Sequence, residues 1–371
     1  MLILAAVVHV AFAWLLSLYR GWRARCPVPE TAGEADRPPV SILVPAWQER
    51  GTAERCITSL RRLRYPRWEA VIIAGGSDGT YEATLRATAG DDRFRVLEQR
   101  PLGKNAALMQ GVVAARHEVL AFLDADSEVG PDWLSLLVAP LVAGASASAG
   151  TYVPRRATWA SLTEQMEKIE AEDILGSRSL QGSGSVAIGR AVLERIDGLP
   201  LDVRVGVDWD LGMRLARLGE PVARAPRAAV TTERPATLGE FWANEVRWRR
   251  AHLRGLWRHK DALLKSPLQV ASGLYFYLLS VLVVVGLPIS LLVALLRPRR
   301  RPAVGQLTLA LAIWLLGRRA ALGAEITAYT GDPKWLGFAW APAALLVPAM
   351  AASVVALLTV GRGQQWFKGP R

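Results

Sequence analysis

An apolar run, Val119-Leu120-Ala121-Phe122-Leu123, ends in Asp124-Ala125-Asp126, two carboxylates separated by one small residue. The run reads as a buried strand, and in an extended backbone positions i and i+2 point to the same side. Carboxylates placed that way repel one another unless a divalent cation or another positive charge offsets them. A hard cation such as Mg2+ or Mn2+ suits oxygen ligands and commonly bridges the phosphates of a nucleotide. Asp124 and Asp126 are therefore candidate metal ligands, with Asp124 also facing substrate. Open α/β sheets bind ligands at the C-terminal ends of their strands, where this pair falls.

Two more strand ends carry polar, turn-forming residues. Pro45-Ala46-Trp47-Gln48-Glu49 follows the apolar run at residues 40–44, and Gly75-Gly76-Ser77-Asp78-Gly79-Thr80 follows the run at residues 70–74. Three strand ends converging on one crevice make a nucleotide pocket in outline. Ser77 and Asp78 also suit a plain glycine-rich turn or a helix cap. Gly103-Lys104-Asn105 opens a helix, so that Lys104 and backbone N–H groups can both meet phosphate there; a solvated surface lysine is the alternative.

The elements that must position these residues follow from periodicity. Short apolar strands alternating with helical patterns over residues 52–63, 104–116 and 209–218 imply an α/β domain over residues 38–235, its mostly parallel sheet covered by helices. Residues 1–19 are almost wholly apolar and are followed by Arg20, Arg23 and Arg25, the pattern of an uncleaved membrane anchor with its C-terminal side in the cytosol. Residues 236–264 read as a basic amphipathic helix lying on the membrane surface, with Trp242, Val246, Leu253, Trp257 and Leu264 near one face. Apolar segments at residues 268–296, 303–316 and 336–360 make residues 268–360 a membrane region, and a short tail, 361–371, completes the chain. The segment 303–316 is short for a span. A single crossing by residues 268–296 would place Arg297 to Arg301 outside, against the positive-inside tendency, unless Gly286 and Pro288 kink or reverse it.

Composition agrees with two environments: 51% of the 371 residues are apolar and clustered, and the net charge of +12 gathers largely beside apolar stretches. That placement argues for a bilayer partner and against nucleic acid, because phosphate-tracking surfaces are not usually interrupted by spans. The two cysteines, Cys26 and Cys56, have no metal-ligand spacing and read as reduced thiols.

In their order these segments resemble the family 2 glycosyltransferases of the GT-A fold, over residues 40–248 and on into the membrane region. The family's P-A-x-N-E is similar to Pro45, Ala46, Trp47, Gln48 and Glu49; its G-K-x-x-A-L-N resembles residues 103–109, and its D-x-D matches Asp124 and Asp126. Its E-D pair, which carries the catalytic base, is matched by Val207-Asp208, with Trp209 beside it in a substrate-binding position. The Q-x-x-R-W of membrane-associated members resembles Asn244-Glu245-Val246-Arg247-Trp248, and Gln365-Trp366-Phe367-Lys368-Gly369 resembles a cytosolic W-[KR]-G-R tail. Gly75-Gly76 replaces the usual acidic pair, Val207 the acid before the base, and Asn244 the glutamine.

The resemblance implies an inverting, metal-dependent hexosyl or aminohexosyl transfer from a nucleotide sugar, with UDP favoured. Asp208 is implied as base, with Arg247 at the diphosphate and Trp248 against the acceptor sugar. Pro45, Ala46, Glu49, Asp78, Lys104, Asp124 and Asn244 are implied in substrate binding. Physically, an arginine can stabilise a departing diphosphate and an indole can stack on the C–H face of a sugar. The acceptor is a growing polysaccharide or a lipid; three or four crossings are few for a polymer pore unless the chain forms a homo-oligomer. A multi-pass protein of a bacterial-type inner (plasma) membrane with a cytosolic catalytic domain is expected. The competing reading is a non-catalytic membrane scaffold derived from such an enzyme.

Overall fold

A computed structural model describes residues 2–25, 37–166, 180, 185–263, 274, 277–330, 333–338 and 343–362. Cys26, Leu264, part of the 268–296 segment and the Gln365 to Gly369 tail lie outside the described residues.

Eight strands form one sheet: β1 (Val40–Trp47), β2 (Trp68–Gly75), β3 (Phe94–Glu98), β4 (Val119–Leu123), β5 (Glu128–Val129), β6 (Ala147–Pro154), β7 (Ser185–Gly189) and β8 (Val222–Thr232). Their order is β3-β2-β1-β4-β7-β6-β8-β5. β7 runs against β4 and β6, and β5 against β8, while the other pairings are parallel. The expected mostly parallel sheet is therefore a mixed one whose parallel part carries the first three strand ends. β2 is buried along its whole length, as a strand covered by helices on both faces must be.

Alternation along β1 separates the two cores. Ile42 and Val44 pack with Ile57 and Leu60 of α2 (Arg50–Leu60) and with Trp133 and Leu137 of α5 (Trp133–Val142). Leu43, with Val71 and Ile73, packs on the opposite face against Leu108 and Val112 of α4 (Lys104–Ala114) and Leu211 and Leu215 of α8 (Val207–Arg217). α3 (Thr80–Thr88) lies between β2 and β3, α6 comprises residues 159–166, and α7 is Arg190–Arg195. Cys56 is a free, fully buried thiol within the first core.

α9 (Leu238–Arg258) is the expected amphipathic helix. Thr237 caps it by accepting the Glu240 N–H, and Glu240 Oε2 returns a bond from Ala236 N–H at 2.8 Å, a reciprocal arrangement close to a capping box. Its buried face runs through Phe241, Glu245, Val246 and Ala251, whereas Trp257 is exposed.

Three described helices are long and apolar enough to cross a membrane: Leu2–Tyr19, Tyr277–Leu296 and Pro298–Ala328. They correspond to α1 (Leu2–Arg25), to α11, whose turns at Leu282–Gly286 are π-helical, and to α12 (Arg301–Thr330). α10 is the short Lys260–Leu263. Gly286 and Pro288 therefore widen α11 rather than reverse it: a π-helical turn accommodates the missing proline N–H. The apolar stretch 303–316 is only the first half of α12, which continues through Gly317-Arg318-Arg319. α12 packs on α1 so closely that a Cβ at Gly317 would lie 2.5 Å from Val10 Cγ1. After the short helix Lys334–Phe338, α13 (Ala343–Thr359) lies along α9, with Ala349 beside Phe241 and Thr359 accepting from Arg250 Nε at 2.9 Å.

α11 starts against α9, where Tyr277 Oη donates to Arg249 O and lies 3.0 Å from His252 Nδ1. Burial first, and Arg249 second, push the His252 imidazole down to about 4. A histidine held neutral by the fold contributes stability above its unfolded pKa of about 6.5, and that contribution is lost as pH falls. Thermal stability of the detergent-solubilised chain should drop between pH 6.5 and 4, and His252→Asn should flatten that drop; an unchanged profile would refute the assignment.

Candidate functional site

The ends of β1, β2 and β4 open on one cavity of about 930 Å³. Its wall contains Pro45, Glu49, Asp78, Lys104, Asp124 and Asp126 from the sheet side, and Asp208, Asn244, Arg247 and Trp248 from α8 and α9. Residues separated by 203 positions in the sequence thus share one surface. Ala46 is fully buried in β1 and Trp209 is 9% exposed; neither lines the cavity. Trp209 instead packs edge-on against His252 and His259, and a Cβ at Gly255 would sit 2.4 Å from its ring. Its role is to seat α8 on α9 rather than to touch the cavity.

Asp124 and Asp126 follow β4 as the alternation requires. Lys104 Nζ, on the first residue of α4, bonds Asp124 Oδ1. Burial opposes the lysine charge, but Asp124 foremost, with Asp126 and Asp208, holds its pKa above the usual range. Lys104 is thus an ion-pair partner of the carboxylate pair as well as a cavity cation. Asp126 Oδ1 accepts from Thr232 Oγ1 at 3.2 Å and Ser127 Oγ at 3.4 Å. Burial, then the neighbouring Asp124, push its carboxyl above the ordinary carboxylate range. Two adjacent carboxylates, one of them disfavoured as an anion, form an oxygen donor set that a hard divalent cation would relieve.

The second strand end explains the missing acidic pair. A Cβ at Gly75 would meet Gln99 O at 2.8 Å and the Trp47 ring at 3.0 Å, and one at Gly76 would meet the Gln48 backbone N at 2.9 Å. Gly76 and Gln48 both have positive φ, 117° and 54°, so Trp47 and Gln48 occupy the space an acidic pair would need. Asp78 remains on the cavity wall, but its oxygens accept from Thr80 Oγ1 at 2.6 Å, Thr80 N–H at 3.1 Å and Arg50 N–H at 3.2 Å. Burial would raise its pKa; these hydrogen bonds outweigh it and hold the group below the usual range. Glu49 is also tied down, accepting from Thr52 Oγ1 while its N–H donates to Thr80 Oγ1 at 2.7 Å.

Asp208 lies in the first turn of α8 and accepts the Trp209 N–H at 2.9 Å. The preceding loop is fastened from α4: Asn105 Nδ2 donates to Pro200 O at 2.5 Å and Val203 O at 2.8 Å. Asp210 differs from Asp208 in kind. It is 2% exposed and paired with Arg214 at 3.0 Å, Arg258 at 3.1 Å and His259 at 2.8 Å, a structural clasp between α8 and α9. Arg247 donates to Asn244 Oδ1 and lies 5.4 Å from the centre of the Trp248 ring.

Three contributors were missed by sequence reasoning: Thr232, Arg234 and Glu164. Thr232 and Arg234 line the cavity at the end of β8, and Glu164 stands behind them on α6. Nothing in their local pattern marks them, because long-range packing, with β8 held between β6 and β5, brings them to the carboxylates.

Family comparison decides what this arrangement belongs to. The glycosyl transferase family 2 model matches residues 41–196, and that for glycosyl transferase family group 2 matches residues 119–354, over half the chain. The chain belongs to the family 2 glycosyltransferases. Poly-beta-1,6-N-acetyl-D-glucosamine synthases of Staphylococcus aureus (strain MSSA476) and Staphylococcus epidermidis are each 27% identical to it over 224 residues, covering 56% of this chain and 53% of theirs. This family 2 glycosyltransferase thus spans about half the length of the curated relatives it matches. A mannosyltransferase from Pyrobaculum calidifontis, solved in complex with GDP-Man and Mn2+, shares its fold with a TM-score of 0.55 at 19% identity, over 97% of both chains.

Proposed function

We propose that this family 2 glycosyltransferase moves a hexosyl or aminohexosyl group from a nucleotide sugar, with a UDP-sugar favoured, to a polysaccharide or lipid acceptor at the membrane, inverting the anomeric centre. The observation that carries this reading is the single cavity wall joining Asp124, Asp126 and Lys104 to Asp208, Arg247 and Trp248. The Mn2+ named with the Pyrobaculum structure and the synthase activity named for the staphylococcal relatives support it.

In this reading Asp208 accepts the proton of the acceptor hydroxyl, whose oxygen forms a bond to the anomeric carbon as the bond to the diphosphate breaks. Lys104, Arg234 and Arg247 hold the departing diphosphate, and Trp248 carries the acceptor ring on its face. Asp124 and Asp126 would hold Mg2+ or Mn2+, which supplies positive charge to the diphosphate oxygens.

The packing also supports an orientation. α11 leaves the neighbourhood of α9 at Tyr277, and α12 returns to the catalytic side, where Leu322 and Ile326 meet Leu162 and Met166 of α6. α1, α11 and α12 then cross once each and α13 stays beside α9. In this reading the catalytic domain lies on the cytosolic face of a bacterial-type inner membrane and Arg297 to Arg301 lie on the far face, against the positive-inside tendency.

The test is a sugar-nucleotide panel with solubilised protein, Mn2+ and a native lipid extract, read by product mass. One added hexose or aminosugar on a lipid identifies a glycolipid enzyme, and a ladder identifies a polymerase. Absence of any transfer across the panel would refute the function and favour the scaffold reading.

A further inference from the structure

Behind the cavity wall stands a buried carboxylate that the transfer reaction itself does not use. Glu164 on α6 is 1% exposed. Its Oε1 accepts from Asn244 Nδ2 at 2.8 Å and lies 3.5 Å from Arg234 Nη1. Asn244 Oδ1 in turn accepts from Arg247 Nη2. One carboxylate therefore backs two guanidinium groups, Arg234 directly and Arg247 through an amide.

Arg234 and Arg247 carry like charges that disfavour one another in a poorly solvated place, and a counter-charge offsets this. Burial foremost pulls the Arg247 pKa down, with Arg234 adding to that and Glu164 opposing it. The Arg234 guanidinium lies 3.7 Å from the centre of the Tyr152 ring, which fixes its plane. Its Nε is buried with no hydrogen-bond partner among the described residues, an unmet donor on a wall that otherwise suits phosphate oxygens. α6 is itself held from both sides. Gln165 Nε2 donates to Tyr152 O at 2.9 Å, while Leu162 and Met166 pack on Leu322 and Ile326 of α12 and on Trp335.

A buried carboxylate is a costly way to fill space, and an apolar residue of similar size would serve stability as well or better. Its retention here is accounted for by orientation. We propose that Glu164 is a positioning residue: its carboxylate holds Arg234 directly, and Arg247 through Asn244, so that both guanidinium groups converge on the diphosphate leaving the donor sugar. This rests on the transfer function proposed above. It also makes Asn244 a two-sided relay, with its amide N–H2 toward Glu164 and its carbonyl toward Arg247, a division that an aspartate at this position would not allow.

The test is steady-state transfer by the full chain in lipid nanodiscs, comparing wild type, Glu164→Gln, Arg234→Gln and the double variant, with thermal unfolding measured alongside. Glu164→Gln should lower kcat on the order of 10- to 100-fold, as expected for loss of oriented charge at a leaving group. Donor KM should move by less than about threefold and unfolding by only a few degrees, because the oriented charge acts mainly in the transition state. In the Arg234→Gln background the same substitution should cost no more than about threefold, since the two act as one unit. Glu164→Asp should recover part of the lost kcat. Should Glu164→Gln unfold, Asn244→Ala cuts only the arm to Arg247 and should lower kcat about threefold, the same share that Glu164→Gln costs in the Arg234→Gln background. Wild-type kcat in Glu164→Gln or Asn244→Ala, or losses that multiply independently in the double variant, would overturn the positioning role while leaving the transfer function standing. A wild type that transfers no sugar overturns both.

Discussion

Replacing Asp208 by asparagine is expected to lower kcat by about 10²- to 10⁴-fold, the range that a positioned general base supplies. The substitution keeps the size of the side chain and an oxygen able to accept the Trp209 N–H, so that α8 should start as before. What it removes is the ability to take a proton. Donor binding should survive, because the candidate diphosphate groups, Lys104, Asp124, Asp126, Arg234 and Arg247, are untouched. The measurement is kcat and donor KM for transfer, with nucleoside diphosphate release followed in parallel.

Asp210→Asn is the informative contrast. Asp210 binds Arg214, Arg258 and His259 in a buried clasp, and breaking such a network by neutralising one partner costs stability. It should therefore show as a lowered unfolding temperature more than as lost chemistry. If Asp208→Asn turned over at the wild-type rate, the base would lie elsewhere. Wild type and variant releasing nucleoside diphosphate equally poorly from every donor would favour the scaffold reading.

The parts of this site legible in the sequence were those whose local pattern carries the geometry. A strand ending in Asp124-Ala125-Asp126 fixes two side chains on one side of the backbone, and β4 ends at Leu123 as that pattern requires. Gly103-Lys104-Asn105 opens α4, where Gly103 takes φ of 96°, and Val207-Asp208 starts α8. Residues whose role depends on long-range pairing were not legible. Thr232 reaches Asp126 because β8 pairs with β5, the strand that follows Asp126, and Glu164 reaches Asn244 across 80 positions. Trp209 shows the opposite failure: proximity to Asp208 in sequence suggested the cavity, but at a helical start neighbouring residues point in different directions, and its ring went to α9.

Hydropathy was similarly local. The apolar segment ending at Leu316 looked too short to span because charge counting stops at Arg318 and Arg319. Helix formation does not stop there, since arginine, alanine and leucine all propagate a helix well, and α12 runs on to Thr330. α13 is legible as an apolar segment, but its packing is not: Ala349, Thr359 and Val360 meet Phe241, Arg250 and Arg254 of α9, contacts that only the folded chain brings together.

Chelation should abolish transfer, with a loss of at least about 10²-fold that Mn2+ or Mg2+ restores, because removing preorganised charge from a leaving group costs several kcal/mol. Asp126→Asn should show a similar loss that saturating metal does not repair. The structure adds an expectation that separates a metal ligand from a fold-supporting carboxylate. Asp126 is half-buried beside Asp124 and its anion is disfavoured there, so neutralising it removes repulsion. Without metal, Asp126→Asn should unfold at the wild-type temperature or slightly above it, whereas wild type alone should gain stability when Mn2+ and a nucleoside diphosphate are added together, by mass action on the folded state. A carboxylate retained at a cost to the unloaded fold and valuable only with its ligand present is the thermodynamic mark of a functional group. Full turnover in the presence of a chelator would contradict it, and would leave Lys104, Arg234 and Arg247 to stabilise the diphosphate by themselves.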